Sequence, residues 1–303
     1  MAAARMTVMT DTTGTVRHDV ADLAESLLTH DDADLDRPFT ILTHRQASSL
    51  VERREALRPL YEAIVARIGP PTLLGGTAHG PSVRWHGSER ILLLSGDHGE
   101  ALLSAHEATA FVQEEYSRFD SGGLPYTWQL DRHGPGHDHG WTFNGHAAAN
   151  GWAQTEEHLA QILASWAEHM PLQAPGDWVS FKLWASRDWG RTMIVSYQPS
   201  QTNRELCAVI DDRGHEQTPE RAAQMRARGW QDLDDTGRWY TRLPETDPTA
   251  PATLARLIVT DLRARGTVSS HEVTAWDISA GDQGKLWVPG IGVDVHPRRG
   301  EHF

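Results

Sequence analysis

The order of helix-period and strand-period segments repeats on the two sides of a glycine- and histidine-rich stretch, "DRHGPGHDHGWTFNGH" at 131–146. Before this stretch, apolar residues between Ala47 and Ile68 recur mostly at spacings of three, four and seven, which predicts an amphipathic helix ended by Gly69. Short strand patterns follow, then the helical "EATAFVQEEYSRF" and the strand "PYTWQL". This order predicts an antiparallel sheet packed by helices.

The second run of segments has a similar plan. It begins with the helix "TEEHLAQILASWAEHM" and continues with the strands "DWVSFKLWAS", "RTMIVSYQP" and "ELCAVIDD". Thr218, Pro219 and Gly229 mark the N-cap, first residue and end of a further helix, and another helix and two strands complete the run. The sequence therefore predicts an α+β fold of two units, each an antiparallel sheet packed by helices, with a distant duplication left open.

These patterns also predict the domain boundaries. The stretch from Asp11 to Asp36 has eight acidic residues, one basic residue and no aromatic residue, which indicates a mobile or weakly helical segment. The predicted parts are an acidic flexible leader at 1–45, an N-terminal α+β unit at 46–131, a Gly/His-rich linker at 132–153, a C-terminal α+β domain at 154–296 and a tail at 297–303.

The charge balance argues against nucleic-acid binding. The chain has 41 acidic and 28 basic residues, a formal net charge of −13, and such a chain repels polyphosphates unless a basic patch overrides its field. The nearest candidate is "VERREALR", in which Arg53 and Arg54 are interleaved with Glu52 and Glu55. This pattern predicts a solvated helix face.

Three absences predict a soluble, cytoplasmic protein without membrane contact. No apolar run approaches the roughly 18 residues of a membrane span. The N-terminal segment lacks the apolar core of a secretory signal. The single cysteine, Cys207, cannot form an internal disulfide, which agrees with a reducing compartment.

The glycine- and histidine-rich stretch is the main candidate for a metal site. Zinc requires three or four converging ligands, and "HDHGW" lacks the Asp-His pair that completes the HxHxDH motif of metallo-β-lactamase-like hydrolases. Glycines on both sides favour a linker, so we expect no metal and no cofactor. If a metal is bound, the candidate ligands are His133, His137, His139 and His146.

Catalytic motifs are also incomplete. "HEATA" at His106 and "HEVTA" at His271 begin like the HExxH helix of zinc proteases, but Ala110 and Ala275 stand where the second histidine is required. The chain contains no Gly-x-Ser-x-Gly, and Pro81 replaces the lysine of a phosphate loop in "GGTAHGPS". The sequence therefore predicts no catalytic residues and no enzymatic activity.

The chain has twelve tryptophans, several of them in or near predicted strands. Large rings commonly fill the core of a thin sheet-on-helix domain, and this interpretation is favoured about two to one. The alternative is an aromatic binding surface on one sheet face. The candidate partner-binding residues are Trp85, Trp128, Trp178, Trp184, Trp239 and Trp287.

The last 80 or so residues resemble a known domain family. The resemblance rests on Gly229-Trp230, Trp239, the helix from Leu254 to Arg263, "HEV" at 271–273 and "LWVPGIG". The tract looks like the actinobacterial type III secretion chaperone-like and YbjN-like (TY-Chap) domains, although Asp261 stands where that family has threonine. The resemblance implies an antiparallel sheet packed by helices, similar to chaperones that bind extended segments of partner proteins, and it brings no catalytic residues.

These observations together predict a non-enzymatic protein-binding function, chaperone-like or adaptor-like. The protein would bury an apolar segment of a protein partner on aromatic sheet faces, and homodimerisation through a helix or edge strand is left open. Two alternatives remain. One is a metal-dependent hydrolase that uses the histidine-rich stretch, and the other is an acidic, immunity-like protein that neutralises a basic partner.

Overall fold

A computed structural model describes residues 13–30, 35–45, 48–131, 147, 149–185, 192–199, 204–213, 216–281 and 285–291. The α-helices in these ranges are α1 (Thr13–Thr29), α2 (Leu50–Ile68), α3 (Ala108–Asp120), α4 (Trp152–Gln173), α5 (Pro219–Ala227) and α6 (Ala250–Ala264). Short 3-10 turns occupy Ser270–Glu272 and Pro289–Ile291.

The strands pair antiparallel throughout the three sheets, so the predicted α+β class is confirmed. Strands β1 to β6 are Phe39–Thr43, Leu74–Gly76, Val83–His86, Arg90–Gly96, Glu100–Glu107 and Trp128–Asp131. Strands β7 to β13 are Val179–Ala185, Met193–Pro199, Arg204–Asp211, Asp232–Leu233, Arg238–Pro244, Val273–Ala280 and Lys285–Trp287.

The first sheet has the strand order β1-β5-β4-β3 and is packed by helices on both faces. On one face, α1 and α2 cover apolar residues such as Leu92 and Leu103, and the Tyr61 ring of α2 lies against Trp85 with centroids 6.4 Å apart. On the other face, Arg84 donates to Glu115 of α3 at 2.8 Å. Leu93 stands opposite Arg84 in the strand register, and Ser104 stands opposite Leu93. Both residues therefore belong to this second face.

The second sheet has the order β10-β11-β9-β8-β7-β12, and the helices that pack on it, α4 and α6, lie on one face. Phe181, Val195 and Ala208 stand side by side in the strand register on that face and are fully buried. The Trp166 ring of α4 meets Phe181 at a centroid separation of 5.5 Å. The opposite face is described with the candidate site.

A third sheet, in the order β13-β6-β2, draws strands from both sides of the predicted linker. It is fixed to α4 by Gln173, whose side-chain oxygen accepts from the Gly75 N–H and whose amide donates to the Gly75 carbonyl, both at 2.8 Å. A Cβ at Gly76 would stand 2.1 Å from Ser165 Oγ, so glycine is required for this close approach. A single hydrophobic core extends through both halves of the chain.

Part of the predicted leader is folded onto this core. Within α1, Val20, Ala24 and Leu27 recur at helical spacing and are buried against α2 and the first sheet. Strand β1 pairs with β5. Residues 13–30 and 35–45 of the predicted leader thus pack on the core through this apolar stripe and through β1, while the mobility expected for the leader stays a prediction.

The arginines of "VERREALR" are also placed differently from the expectation. Arg53 and Arg54 are only 8% and 7% exposed, whereas Glu52 closes a capping box with Ser49 at the start of α2. The predicted solvated face is therefore wrong for both arginines. Arg54 also donates to its neighbour Glu55 at 3.0 Å. The buried acidic partners, Glu168 for Arg53 and Glu245 for Arg54, lie more than a hundred residues away along the chain and give no local signal.

Asp261, where the TY-Chap-like pattern has threonine, is a fully buried carboxylate on α6. Its oxygens lie 3.0 Å from Arg265 Nε, 3.2 Å from Trp230 Nε1 and 3.4 Å from Arg228 Nη1. The carboxylate thus joins α6 to the turn after α5. A buried charge of this kind is tolerated because it is paired.

Among the described residues, no helix combines the length and the apolar character needed to cross a membrane.

Replacement of Asp261 by Asn should lower the free energy of unfolding by about 3–5 kcal/mol, because the buried Arg265 guanidinium would lose the carboxylate that lies 3.0 Å from its Nε. Urea unfolding followed by circular dichroism measures the change. The matched control is Asp232→Asn, since this carboxylate is exposed and lies 3.8 Å from Arg242; it should change stability by less than about 0.5 kcal/mol. Equal effects of the two substitutions would contradict the role given to Asp261.

Candidate functional site

The candidate binding surface is the face of the second sheet opposite α4 and α6, which we call the outer face. Lys182, Ile194, Val209 and Tyr240 stand in one row across β7, β8, β9 and β11, each directly opposite the next in the strand register. Each of these side chains is half-buried. Alternation along the strands adds Trp178, Ser180, Trp184, Ser196, Cys207 and Arg242 to the same face.

Two of the six predicted partner-binding tryptophans lie on the outer face. Trp178, just before β7, is 41% exposed, and Trp184 near the end of β7 is half-buried. Both belong to the same alternating set as Lys182. Along β7, Trp178 and Trp184 therefore lie on either side of Lys182, the residue that this strand contributes to the row.

The other four predicted tryptophans are buried in the core. Trp85, Trp128, Trp239 and Trp287 are 3%, 0%, 0% and 9% exposed. Trp85 Nε1 donates to the Gly69 carbonyl at 2.9 Å, and Trp128 Nε1 donates to Ser165 Oγ at 2.8 Å. These rings fill space between sheets and helices, as the core interpretation expects. The partner-binding role of the set stays a prediction, with ring surface available to a partner chiefly at Trp178 and Trp184.

Polar contacts hold Tyr240 in place at one end of the row. Its hydroxyl donates to Asp234 Oδ2 at 2.7 Å, and the Arg242 guanidinium lies 4.5 Å from the centroid of its ring. The hydrogen bond to the Asp234 carboxylate raises the pKa of Tyr240 above its ordinary value. A ring held on both its edge and its face loses little freedom when a ligand packs on it.

The one cysteine of the chain, Cys207, stands in the register of the outer face and is fully buried. Burial raises the pKa of its thiol to about 11. Because the thiolate is the reactive form, Cys207 contributes packing rather than nucleophilic chemistry at neutral pH.

A second polar region lies where α2 meets α4. Arg53 donates to both carboxylate oxygens of Glu168, at 2.8 and 2.7 Å, and Arg54 donates to Glu245 at 3.3 Å. Tyr197 of β8 completes the group by donating its hydroxyl to Glu245 at 2.8 Å. Desolvation and this hydrogen bond raise the pKa of Tyr197, so its hydroxyl keeps its proton and its donor role.

Four histidines gather beside the Arg53–Glu168 pair, and we call them the histidine cluster: His44, His79, His98 and His169. His79 Nδ1 lies 3.3 Å from His98 Nε2, and the two rings stand edge to face. The hairpin turns that carry them touch, since a Cβ at Gly80 would stand 2.4 Å from the Gly96 carbonyl oxygen.

Burial lowers the pKa of His44, His98 and His169. The positive charge of Arg53 acts in the same direction on all three, while Glu168 opposes it. These three rings are therefore neutral at pH 7. Desolvation acts to raise the pKa of Glu168, but a protonated His169 at acidic pH and the charge and hydrogen bonds of Arg53 hold it below its usual value, so Glu168 remains a carboxylate at pH 7.

The cluster does not form a ready metal centre. Within the described ranges, no group of three or more His, Cys, Asp or Glu side chains converges in an arrangement able to hold a metal ion. The metal candidates His133, His137, His139 and His146 lie outside the described residues. The hydrolase that would use them stays a prediction.

A third polar group is a hydrogen-bonded row on the first sheet. Ser104 Oγ lies 2.7 Å from His106 Nε2, and His106 Nδ1 lies 2.6 Å from Asp36 Oδ1. Ser104 and His106 are two residues apart on β5 and so point to the same side, while Asp36 is brought in by the bond from its N–H to the Ala105 carbonyl at 2.7 Å. The row runs inward, from an exposed carboxylate to a serine that is 4% exposed.

Sequence reasoning missed this row and the histidine cluster. His106 appears in the sequence only as the first residue of an incomplete HExxH motif, whereas β5 extends through it and alternation places it on the side of Ser104. Asp36 is 70 residues from His106 along the chain, so no spacing could have revealed it. The histidines of the cluster are equally dispersed.

No family model matches the sequence, and no curated protein is significantly similar to it. The resemblance of the C-terminal tract to TY-Chap domains therefore stays a prediction.

Acidification should destabilise the fold through the histidine cluster. His44, His98 and His169 have lower pKa values in the folded than in the unfolded chain, so the unfolded chain binds protons first as the pH falls below about 6.5. The urea midpoint should fall between pH 7 and pH 5. His169→Gln, a change at the buried histidine of the cluster, should flatten that dependence, whereas His271→Gln, a change at an exposed histidine of the Ser270–Glu272 turn outside the cluster, should leave it intact. A midpoint independent of pH in the wild type would contradict this assignment.

Proposed function

We propose that the protein binds an extended segment of a protein partner on the outer face of its second sheet, as a chaperone or adaptor does. The observation that carries this is the row Lys182–Ile194–Val209–Tyr240 on the face opposite both packing helices. The TY-Chap resemblance supports the same function. Binding would bury apolar side chains of the segment against a rigid sheet surface.

The side chains of the row determine which peptide sequence is complementary to it. From β7 to β11 the row has Lys182, two aliphatic residues and Tyr240 with Arg242 stacked on its ring. In the register, Trp276 of β12 stands opposite Lys182, and Asp232 of β10 stands opposite Tyr240. Four neighbouring strands about 4.8 Å apart make the row about 14 Å long. In an extended peptide, side chains four residues apart are separated by about 13.5 Å. The complementary segment therefore has an apolar residue flanked, two positions away on each side, by Asp or Glu.

Charge explains why an acidic segment can approach an acidic chain. The net charge of −13 would repel such a segment in general. On the outer face, however, Lys182, Arg238 and Arg242 lie among the carboxylates of Glu205, Asp211, Asp232 and Asp234. The outer face thus presents a few cationic side chains within an acidic surface. This arrangement favours one orientation of the bound segment and restricts where the segment can bind.

The direct test is fluorescence anisotropy with a labelled peptide Thr-Glu-Thr-Ile-Thr-Glu-Thr, compared with the same peptide carrying Lys in place of Glu. Only the acidic peptide should bind, and Ile194→Asp or Val209→Asp should weaken binding by at least about tenfold, since each would bury a carboxylate against the apolar residue of the peptide. The matched control is Val268→Asp, a change at an apolar residue that is 69% exposed in the loop after α6. It should leave binding unchanged.

Three outcomes would overturn the proposal. The first is absence of binding by the acidic peptide, and the second is equal binding of both peptides. The third is a dimer in sedimentation that Ile194→Asp dissociates, because the occupant of the outer face would then be a second copy of this chain. Circular dichroism of each variant confirms that loss of binding is not loss of fold.

A further inference from the structure

The geometry points to a second, independent activity: Ser104 is an acyl-accepting nucleophile with His106 as its general base, and the substrate class is small, activated aryl esters. A serine-histidine-carboxylate unit is recognised by atoms and roles rather than by sequence order. The three side chains meet with serine on Nε2 and carboxylate on Nδ1, at 2.7 and 2.6 Å. Both distances lie within hydrogen-bond range.

The protonation pattern follows from the donors and acceptors. The Asp36 carboxylate can only accept, so His106 Nδ1 carries the hydrogen of that bond. In the neutral ring Nε2 then has a lone pair, which accepts the Ser104 hydroxyl proton. This is the arrangement in which an imidazole removes a proton from a serine as the serine attacks. Asp36 acts through His106 and is a positioning residue.

Local structure holds the row together. Asp36 has a φ of 59°, a left-handed conformation that is uncommon outside glycine, and its N–H is fixed to the Ala105 carbonyl. The Phe111 ring of α3 packs on His106 with centroids 4.8 Å apart. The imidazole is therefore positioned from two sides, by a carboxylate on its edge and a ring against it.

Two features restrict the substrate. Ser104 is 4% exposed, so only a small acyl group reaches Oγ. The backbone of β5 around Ser104 is engaged with Leu93 of β4 and with Asp36, which leaves oxyanion stabilisation weak. Loss of one oxyanion donor slows acyl transfer by about 10²–10³ in other enzymes. Acetyl esters with a good aryloxide leaving group fit these limits, whereas amides do not.

The reaction proceeds in two steps. Ser104 Oγ bonds to the ester carbonyl carbon while its proton passes to His106 Nε2. The carbon–aryloxide bond then breaks, and the leaving phenol takes the proton from His106. In the second step water attacks the acetyl-serine and gives a proton to His106. The bond from carbon to Oγ breaks, Ser104 recovers the proton, and acetic acid leaves. The sum is hydrolysis of one ester by one water.

The test uses the full-length wild-type protein with p-nitrophenyl acetate and a fluorophosphonate probe. Mass spectrometry of the digested protein should place the phosphonyl group on Ser104, which requires no variant. Ser104→Ala should abolish labelling and reduce esterase turnover to the background rate. The matched control is Ser82→Ala. Ser82 is also 4% exposed and lies directly before β3 of the same sheet, so its replacement should keep both labelling and esterase turnover.

The positioning role of Asp36 has its own readout. Asp36→Asn should slow labelling at neutral pH and leave a residual rate that rises with hydroxide, because an Asn side chain no longer selects the tautomer in which Nε2 accepts. A wild-type protein that is unlabelled, or labelled at another residue, would overturn the inference. So would a Ser104→Ala variant that is folded and retains turnover, because the row would then serve only to fasten Asp36 to β5.

Discussion

The burial of Arg53 and Arg54 is the constraint on which the arrangement of the whole chain depends. Two consecutive guanidinium groups on α2 are withdrawn from water, and each needs a carboxylate because an unpaired buried charge is strongly destabilising. Glu168 on α4 satisfies one, and Glu245 after β11 satisfies the other with Tyr197 of β8. These ion pairs therefore fix the orientation of α2 relative to the second half of the chain, and apolar side chains pack around the pairs.

This arrangement determines where the candidate sites lie. Since α4 is held between α2 on one side and the second sheet on the other, it covers the inner face of that sheet together with α6. Among the elements that the structure describes, these two helices leave the outer face open. The third sheet reinforces the join through the paired hydrogen bonds of Gln173 to Gly75. The hairpin turns bearing His79 and His98 meet beside the Arg53–Glu168 pair, where partial burial and then the Arg53 charge lower the pKa of His98.

Local sequence signals predicted much of the fold. The helical spacing before Gly69, the cap formed by Thr218 with Pro219, and the alternation around Lys182 all act within a few residues, and the structure has α2, α5 and β7 there. Long-range pairing could not be predicted in the same way. Arg53 finds its partner 115 residues away and Asp36 lies 70 residues from His106, so the sequence pattern around each arginine or aspartate says nothing of its partner. The tryptophans show the same limit, because ring size favours burial over binding only about two to one, and the position of each ring on a sheet face decides between them.

The most direct test of this account is whether the two halves unfold together. Urea unfolding of the wild type, followed by far-ultraviolet circular dichroism and by tryptophan fluorescence, should give one transition with a shared midpoint. Glu168→Gln should move that entire transition to lower urea, by about 3–5 kcal/mol in the free energy of unfolding, because Arg53 would lose its counter-charge in the interior. Two separate transitions in the wild type, or a variant that shifts only one of the two signals, would contradict the claim that the Arg53–Glu168 pair joins both halves in one core.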